Sequence, residues 1–148
     1  MENSKVEEYW QKFKSENNIN SNRYEAWQFG FDADLLGELV LEGKKTATAG
    51  ALKSYQFENV DIPRLGQYNI VLDSKNQPLC IIRTIKVEII PFLEVSSEHV
   101  YKEGENDRTL ESWRNGHKRF FINEFREYNI EFSEDIEVVC EEFEVVYR

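Results

Sequence analysis

A chain of 148 residues with a formal net charge of −10 has the size of one domain and a surface that repels phosphodiester backbones, which argues against a grip on duplex DNA. A local basic pocket for a single nucleotide remains compatible with that charge. Ten Phe, seven Tyr and three Trp give enough apolar area for a core that needs no disulfide or metal to hold it.

Val6, Tyr9, Trp10 and Phe13 fall at i, i+3, i+4 and i+7 and predict an amphipathic helix, with Ser4 and Glu7 as a capping box that starts it near Lys5. Asn17, Asn18, Asn20, Ser21 and Asn22 form a polar breaker, so residues 1–22 are expected to be a helical extension lying over a main body of residues 23–148. A second helix is predicted over residues 33–42, with Asp32 as N-cap, Leu35, Leu36, Leu39 and Val40 as buried face and Gly43 at C′. Residues 45–49 then read as a strand. Residues 67–73 and 79–90 read as an antiparallel hairpin turning at Ser74-Lys75-Asn76-Gln77, and Pro91 ends its second arm because it has no N–H for a ladder. A helical turn around residues 96–102 precedes a long helix over residues 109–128, capped by Thr109, with Leu110, Trp113, His117, Phe120, Phe121 and Phe125 on one face. Gly116 interrupts that helix at a cost of about 1 kcal/mol relative to Ala, which predicts another element packed closely against it. Residues 136–147 form a closing strand. The fold class is α+β: a mostly antiparallel sheet curled into a barrel with helices outside.

Cys80 and Cys140 sit in the apolar runs PLCIIR and EVVCEEF and read as buried thiols packed as small hydrophobes. Two His and two Cys show no zinc-ligand spacing, so no metal and no cofactor is expected. The start, MENSKVEEYW, has no basic region followed by an apolar stretch, and no apolar run approaches the roughly 20 residues of a membrane helix. A cytoplasmic protein without a membrane partner is the expectation.

The chemistry centres on Gly43-Lys44-Lys45-Thr46-Ala47-Thr48. This looks like a phosphate loop only superficially, since the upstream glycine of GxxxxGK[ST] is missing and a helix precedes it where a strand should. Strand periodicity puts Thr46 and Thr48 on one face and Lys45 on the other, unless a twist or bulge at Gly43 brings Lys45 and Thr48 together. Lys44 reads as a solvated neighbour. Trp27 and Phe29 are either core aromatics or a platform for a nucleobase. Arg83 interrupts the buried-looking strand CIIRTIKV and calls for a carboxylate partner or a place in a pocket. His117, one turn after Trp113, packs at the core edge or enters a pocket. Glu103, Glu105 and Asp107 read as solvated acids on a loop rather than as a divalent-ion site.

The pattern Gly43-x-Lys45-x-x-Thr48 after a helix resembles the signature of the ASCH superfamily, whose domain is similar to the PUA fold of RNA-binding proteins. AWQFG (26–30), LVLEGKKTAT (39–48), PLCIIRTIKVEIIPFLEV (78–95), EGEND with LESWRNGH (103–117) and VVCEEFEVVY (138–147) all resemble bacterial ASCH-domain proteins. The N-terminal helix resembles the extension of a larger bacterial subgroup. One small branch of that superfamily removes the acetyl group of N4-acetylcytidine with a Lys, a Thr and a Glu, which match Lys45, Thr48 and, by local pattern, Glu103, with Glu105 the alternative. Another branch is linked to single-strand ribonuclease activity through the motif lysine. The resemblance therefore implies a nucleoside or single-stranded RNA partner. It implies catalysis by Lys45, Thr48 and Glu103. The candidate substrate-binding residues beside them are Trp27, Phe29, Gly43, Arg83, Glu105, Trp113 and His117. In amide hydrolysis Thr48 would supply the nucleophile or orient water, a desolvated Lys45 would take its proton, and Glu103 would hold Lys45 or protonate the leaving nitrogen. A non-enzymatic RNA-binding module and a ribonuclease stand beside this hydrolase.

Overall fold

Hydrophobic periodicity accounts for most elements of the computed structural model, which describes residues 4–148. In chain order these are α1 (Ser4–Asn17), β1 (Glu25–Trp27), α2 (Ala33–Leu41), β2 (Ala47–Ala51), α3 (Leu52–Glu58), β3 (Tyr68–Leu72), β4 (Pro78–Pro91), α4 (Ser97–Glu103), α5 (Leu110–Glu127) and β5 (Glu137–Tyr147), with a 3₁₀ turn at Phe92–Glu94. None of the helices is long and apolar enough to cross a membrane.

The strands form one sheet in the order β1-β3-β4-β5-β2. β1 runs parallel to β3, and the pairings β3–β4, β4–β5 and β5–β2 are antiparallel. The sheet is a curled half-barrel. The expected closure is not made: β1 and β2 are the two edges of the sheet and do not pair with each other. A cleft lined by Glu25 and Trp27 from one edge and Thr48 and Gly50 from the other lies between them.

Both faces of the central strands are apolar, so both need cover. Ile70, Leu72 and Ile81 meet Val6, Trp10 and Phe13 of α1. The alternate residues Val71, Cys80 and Ile82 meet Leu36 and Val40 of α2 on the opposite side. A third cluster joins Trp113, Phe121 and Phe125 of α5 to Phe92, Val138 and Cys140. Cys80 and Cys140 are both buried and free.

Local chemistry corrects several expectations. Ser4 already lies inside α1, and Glu7 accepts from Gln11 and Tyr24 instead of closing a capping box. Leu35 is largely exposed, while Gly37 is buried, because α2 presents a narrower stripe to the sheet than four apolar residues suggest. β2 begins at Ala47, two residues later than predicted. Among the described residues, no atom beyond the helix's own backbone and the glycine's chain neighbours lies within 4 Å of where a Cβ would sit at Gly116, so the glycine does not mark close packing. The strand β1 and the helix α3 were not foreseen.

Trp10 is 1% exposed and touches the rings of Phe13, Tyr24 and Tyr68. Its replacement by Ala is expected to cost about 3–5 kcal/mol, read from the midpoint of a urea titration.

Candidate active site

Lys45 reaches the interior because of how α2 ends. Gly43 adopts φ +79°, the left-handed conformation that turns the chain off the helix axis. Its N–H donates to the Val40 carbonyl, and the amides of Lys44 and Lys45 both donate to Leu39 at 3.0 and 3.1 Å. Thr46 is then clamped, donating to the Lys102 carbonyl at 2.7 Å and accepting from the Phe143 amide at 3.0 Å. Lys45 lies in this turn, ahead of β2, and its side chain has no exposed surface. Lys44 points outward beside Glu42.

A buried ammonium must be paired and hydrogen-bonded. Nζ of Lys45 donates to the Ala47 carbonyl at 2.9 Å and to Glu105 Oε2 at 2.6 Å, and lies 3.4 Å from the Glu103 carbonyl. Three acceptors match the three N–H donors of an ammonium. Glu103 Oε1 is 3.8 Å from Nζ, and the Phe29 ring centroid is 5.3 Å away. The loop that delivers both acids depends on Gly104, at φ +71°, where a Cβ would fall 2.2 Å from the Lys44 carbonyl oxygen.

Glu103 closes α4 and is 1% exposed. Its Oε2 is held by His99 Nε2 at 2.8 Å, one turn back on the same helix, and by the Trp113 indole N–H at 2.9 Å. His117 Nε2 lies 3.5 Å from Oε1, yet Oε1 has no hydrogen-bond partner among the described residues. His117 stacks on Trp113 at 4.2 Å. A carbonyl can only accept, so the 3.0 Å contact of Nδ1 with the Trp113 carbonyl puts a proton on Nδ1. Burial pushes the Glu103 pKa up, but His117, His99 and the Lys45 ammonium outweigh it and hold the carboxyl well below its ordinary value of 4.5. Glu103 is therefore an anion, and the role of protonating a leaving nitrogen does not suit it.

Two neighbouring cavities adjoin this cluster. One, of about 430 Å³, is bordered by Glu103, Glu105, His117, Trp113 and Phe120. The other, of about 500 Å³, occupies the cleft between the sheet edges. Phe29, Gly30, Thr48 and Ala49 border both, so Thr48 stands at their common wall.

A family model for the ASCH domain matches residues 25–147. The chain belongs to the ASCH domain family. Membership implies a function related to RNA. The chain is similar to the crystal structure of an ASCH domain from Lactobacillus crispatus JV V101, with a TM-score of 0.92 and 27% identity over 99% of this chain and 96% of the other. It is also similar to protein EF3133 from Enterococcus faecalis V583, with a TM-score of 0.91 and 40% identity over 97% of this chain and 89% of the other. The hypothetical protein PH0355, at 19% identity and a TM-score of 0.50, shares the fold alone. No curated protein matches the chain.

In this ASCH domain Lys45, Glu103, Glu105, Trp113 and His117 come together, with Phe29 beside Lys45 and Thr48 on the cavity wall. Both candidate acids engage Lys45. The three acids do not form a solvated loop: Glu103 is buried, Glu105 is half-buried against Lys45, and Asp107 accepts from the Thr109 amide and hydroxyl. Gly43 contributes backbone geometry only. Trp27 borders the edge cleft rather than the Lys45 side. Arg83 is on the surface, over the Tyr68 ring at 6.0 Å and away from both cavities. β4 turns Thr84 inward and its neighbour outward, beyond the cover of α1. Sequence reasoning passed over His99 and Glu141. His99 shows in the i, i+4 spacing with Glu103, whereas Glu141 is hidden among the acids of β5. Glu141 is 4% exposed, accepts from Thr84 Oγ1 at 2.6 Å and is the cross-strand partner of Thr48. Burial raises its pKa, with Thr84 and Lys45 pulling the other way.

Two outcomes follow from this geometry. Gly104→Ala combines a left-handed backbone with a clash against Lys44, so it is expected to lose more than about 2 kcal/mol, measured by thermal melting. The depressed Glu103 pKa adds stability that is fully present above the ordinary value of 4.5 and fades as pH falls below it. Glu103→Gln is therefore expected to be less stable at pH 7 by about 3 kcal/mol. Its stability should also decline less steeply than the wild type's between pH 5 and pH 2, as read from urea titrations across that range.

Proposed function

We propose that this ASCH domain hydrolyses a modified nucleoside of the N4-acylated cytidine type at Lys45, Thr48 and Glu103. The observation that carries the reading is the fully buried Lys45 ammonium beside a buried Glu103 oxygen without a hydrogen-bond partner among the described residues, on the border of a cavity. A buried carboxylate oxygen left unpaired calls for an explanation, and a substrate or water group from the cavity supplies one. Glu105 seals Lys45 from the cavity but keeps 21% of its side chain exposed, so it is the group that a substrate oxygen displaces. The acyl carbonyl oxygen then takes the place of Glu105 Oε2 on Nζ, where an ammonium stabilises the charge of the tetrahedral intermediate.

The attacking oxygen is the Thr48 hydroxyl or a water that it orients. Its proton passes to the Glu103–His117 pair as the C–O bond forms, and His117 returns a proton to the leaving exocyclic nitrogen as the C–N bond breaks. Where Thr48 is the nucleophile, a water then attacks the acyl-threonine ester, giving its proton to the same pair, and the ester C–O bond breaks to release the carboxylic acid and restore the hydroxyl. In this scheme Lys45 stabilises charge, and the proton acceptor is the carboxylate–imidazole pair.

Purified protein incubated with a panel of N4-acylated cytidines is expected to release cytidine and the free carboxylic acid, followed by chromatography. Lys45→Met is expected to lower kcat at least about a hundredfold. An inactive wild type over the panel sinks the hydrolase reading, and binding without turnover would assign the site to RNA recognition.

A further inference from the structure

The edge cleft carries polar groups that this reaction does not use. Asn69 is 1% exposed, and its Oδ1 accepts from the Trp27 indole N–H and from Gln67 Nε2, both at 2.9 Å. An indole N–H only donates, which settles the orientation of the amide. Asn69 Nδ2 is left without a hydrogen-bond partner among the described residues. Glu141 presents the complementary group. Its Oε2 is occupied by the Thr84 hydroxyl, and its Oε1 has no partner among the described residues. Glu141 stands directly across from Thr48 in the β2–β5 register, and directly opposed residues share a face of the sheet. Tyr55 adds a further hydroxyl. Its ring lies 3.2 Å from where a Cβ of Gly50 would sit, and burial, with Glu141, pushes the hydroxyl up to about 12, so it stays a donor. The Trp27 ring, pinned by Asn69 and set edge-on to Phe29 at 5.0 Å and 81°, forms an aromatic side to the cleft.

The field of this cleft is weak. Arg23 and Arg64 line it together with Glu25, Asp61 and Glu141, so opposite charges nearly cancel and a neutral ligand is favoured over a phosphate. An accessible donor and an accessible acceptor on otherwise buried side chains, beside an aromatic ring, are what a flat heterocycle needs.

We infer that the edge cleft is the base subsite: Asn69 Nδ2 donates to a ring acceptor, Glu141 Oε1 accepts from a ring or exocyclic N–H, and Trp27 lies against the base. This rests on the reading of the Lys45–Glu103 side as the place where the acyl group is cut. The scissile amide then spans the common wall at Thr48, with the base on one side and the acyl group on the apolar side formed by Phe120, Trp113 and Leu36.

The three tryptophans make the wild-type protein its own test. The Trp27 indole N–H belongs to the edge cleft, the Trp113 N–H to Glu103, and Trp10, on the buried face of α1, lines neither cavity and serves as a control. In ¹H–¹⁵N spectra, unmodified cytidine is expected to shift the Trp27 indole signal and leave those of Trp113 and Trp10 in place. N4-acetylcytidine is expected to move Trp27 and Trp113 together, and ribose to move neither. Asn69→Ala is expected to weaken cytidine binding at least about tenfold. Cytidine that moves only the Trp113 signal, or none, overturns the base subsite even where acylated cytidine is turned over. A Trp27 shift in a protein without turnover upholds the subsite and sinks the hydrolase alone.

Discussion

Taking the Lys45 ammonium out of water costs several kcal/mol even after relaxation, and the fold offsets that with the Ala47 and Glu103 carbonyls and the carboxylates of Glu103 and Glu105. These groups come from two separate stretches of chain, the turn into β2 and the end of α4 with the loop after it, which the Thr46–Lys102 backbone bond also holds together. Replacing such a cluster with packed hydrophobes would often stabilise a domain. Its presence therefore points to chemistry. The surrounding groups reinforce that reading, because His99 and Trp113 hold one oxygen of the Glu103 carboxylate and, with Lys45 and His117 nearby, keep it charged in a place where burial alone would favour the acid.

The backbone answers to the same requirement. Gly43 lets α2 stop within one residue and send Lys45 inward, while Gly104 lets the end of α4 approach the Lys44 carbonyl closely enough for both acids to reach Nζ. Arg108 Nη2 donates to that same carbonyl at 3.1 Å, and its guanidinium stacks over Tyr101 at 3.8 Å. Ser96 caps α4 through the His99 amide and Thr109 caps α5 through the Ser112 amide, which fixes the direction from which Glu103 and Trp113 arrive. Position is set by turns and caps, and the buried charge tests their accuracy, since an ion pair drawn apart by an ångström loses roughly a quarter of its Coulomb attraction and its hydrogen bond.

What the sequence made legible follows from the kind of signal each element leaves. The helices α1, α2 and α5 and the hairpin β3–β4 carry apolar stripes long enough to show their period, and Asp32, Thr109 and Pro91 mark their ends by chemistry that needs no neighbour. β1 has three residues and exists because β3 offers it a parallel edge. α3 has no side-chain cap and buries none of its residues fully, so neither period nor boundary was visible. Strand periodicity misplaced Lys45 because it lies in the turn before β2. Arg83 looked buried because apolar neighbours cover both faces of β4 at Cys80, Ile81 and Ile82, a cover that ends just where the arginine begins. The family resemblance supplied Glu103. Composition could not have, since a buried acid and a solvated one are written with the same letter.

The open sheet and the sealed lysine then constrain a ligand jointly. A closed barrel would pair β1 with β2 and fill the cleft where Asn69 and Glu141 keep groups unpartnered among the described residues; leaving the edges apart preserves that space. On the other side of Thr48, anything that reaches Lys45 has to replace Glu105, and the replacement must bring an acceptor oxygen, because removing the carboxylate without one would leave an ammonium donor unmatched in a dry site. A hydrocarbon cannot do this, and neither can an amine. A carbonyl can, and it becomes a better partner as its oxygen gains negative charge, so in the proposed reaction the exchange of Glu105 for substrate would grow more favourable along the path to a tetrahedral intermediate than at its start. In that reading the carboxylate that hides Lys45 at rest sets the chemical class of what can uncover it.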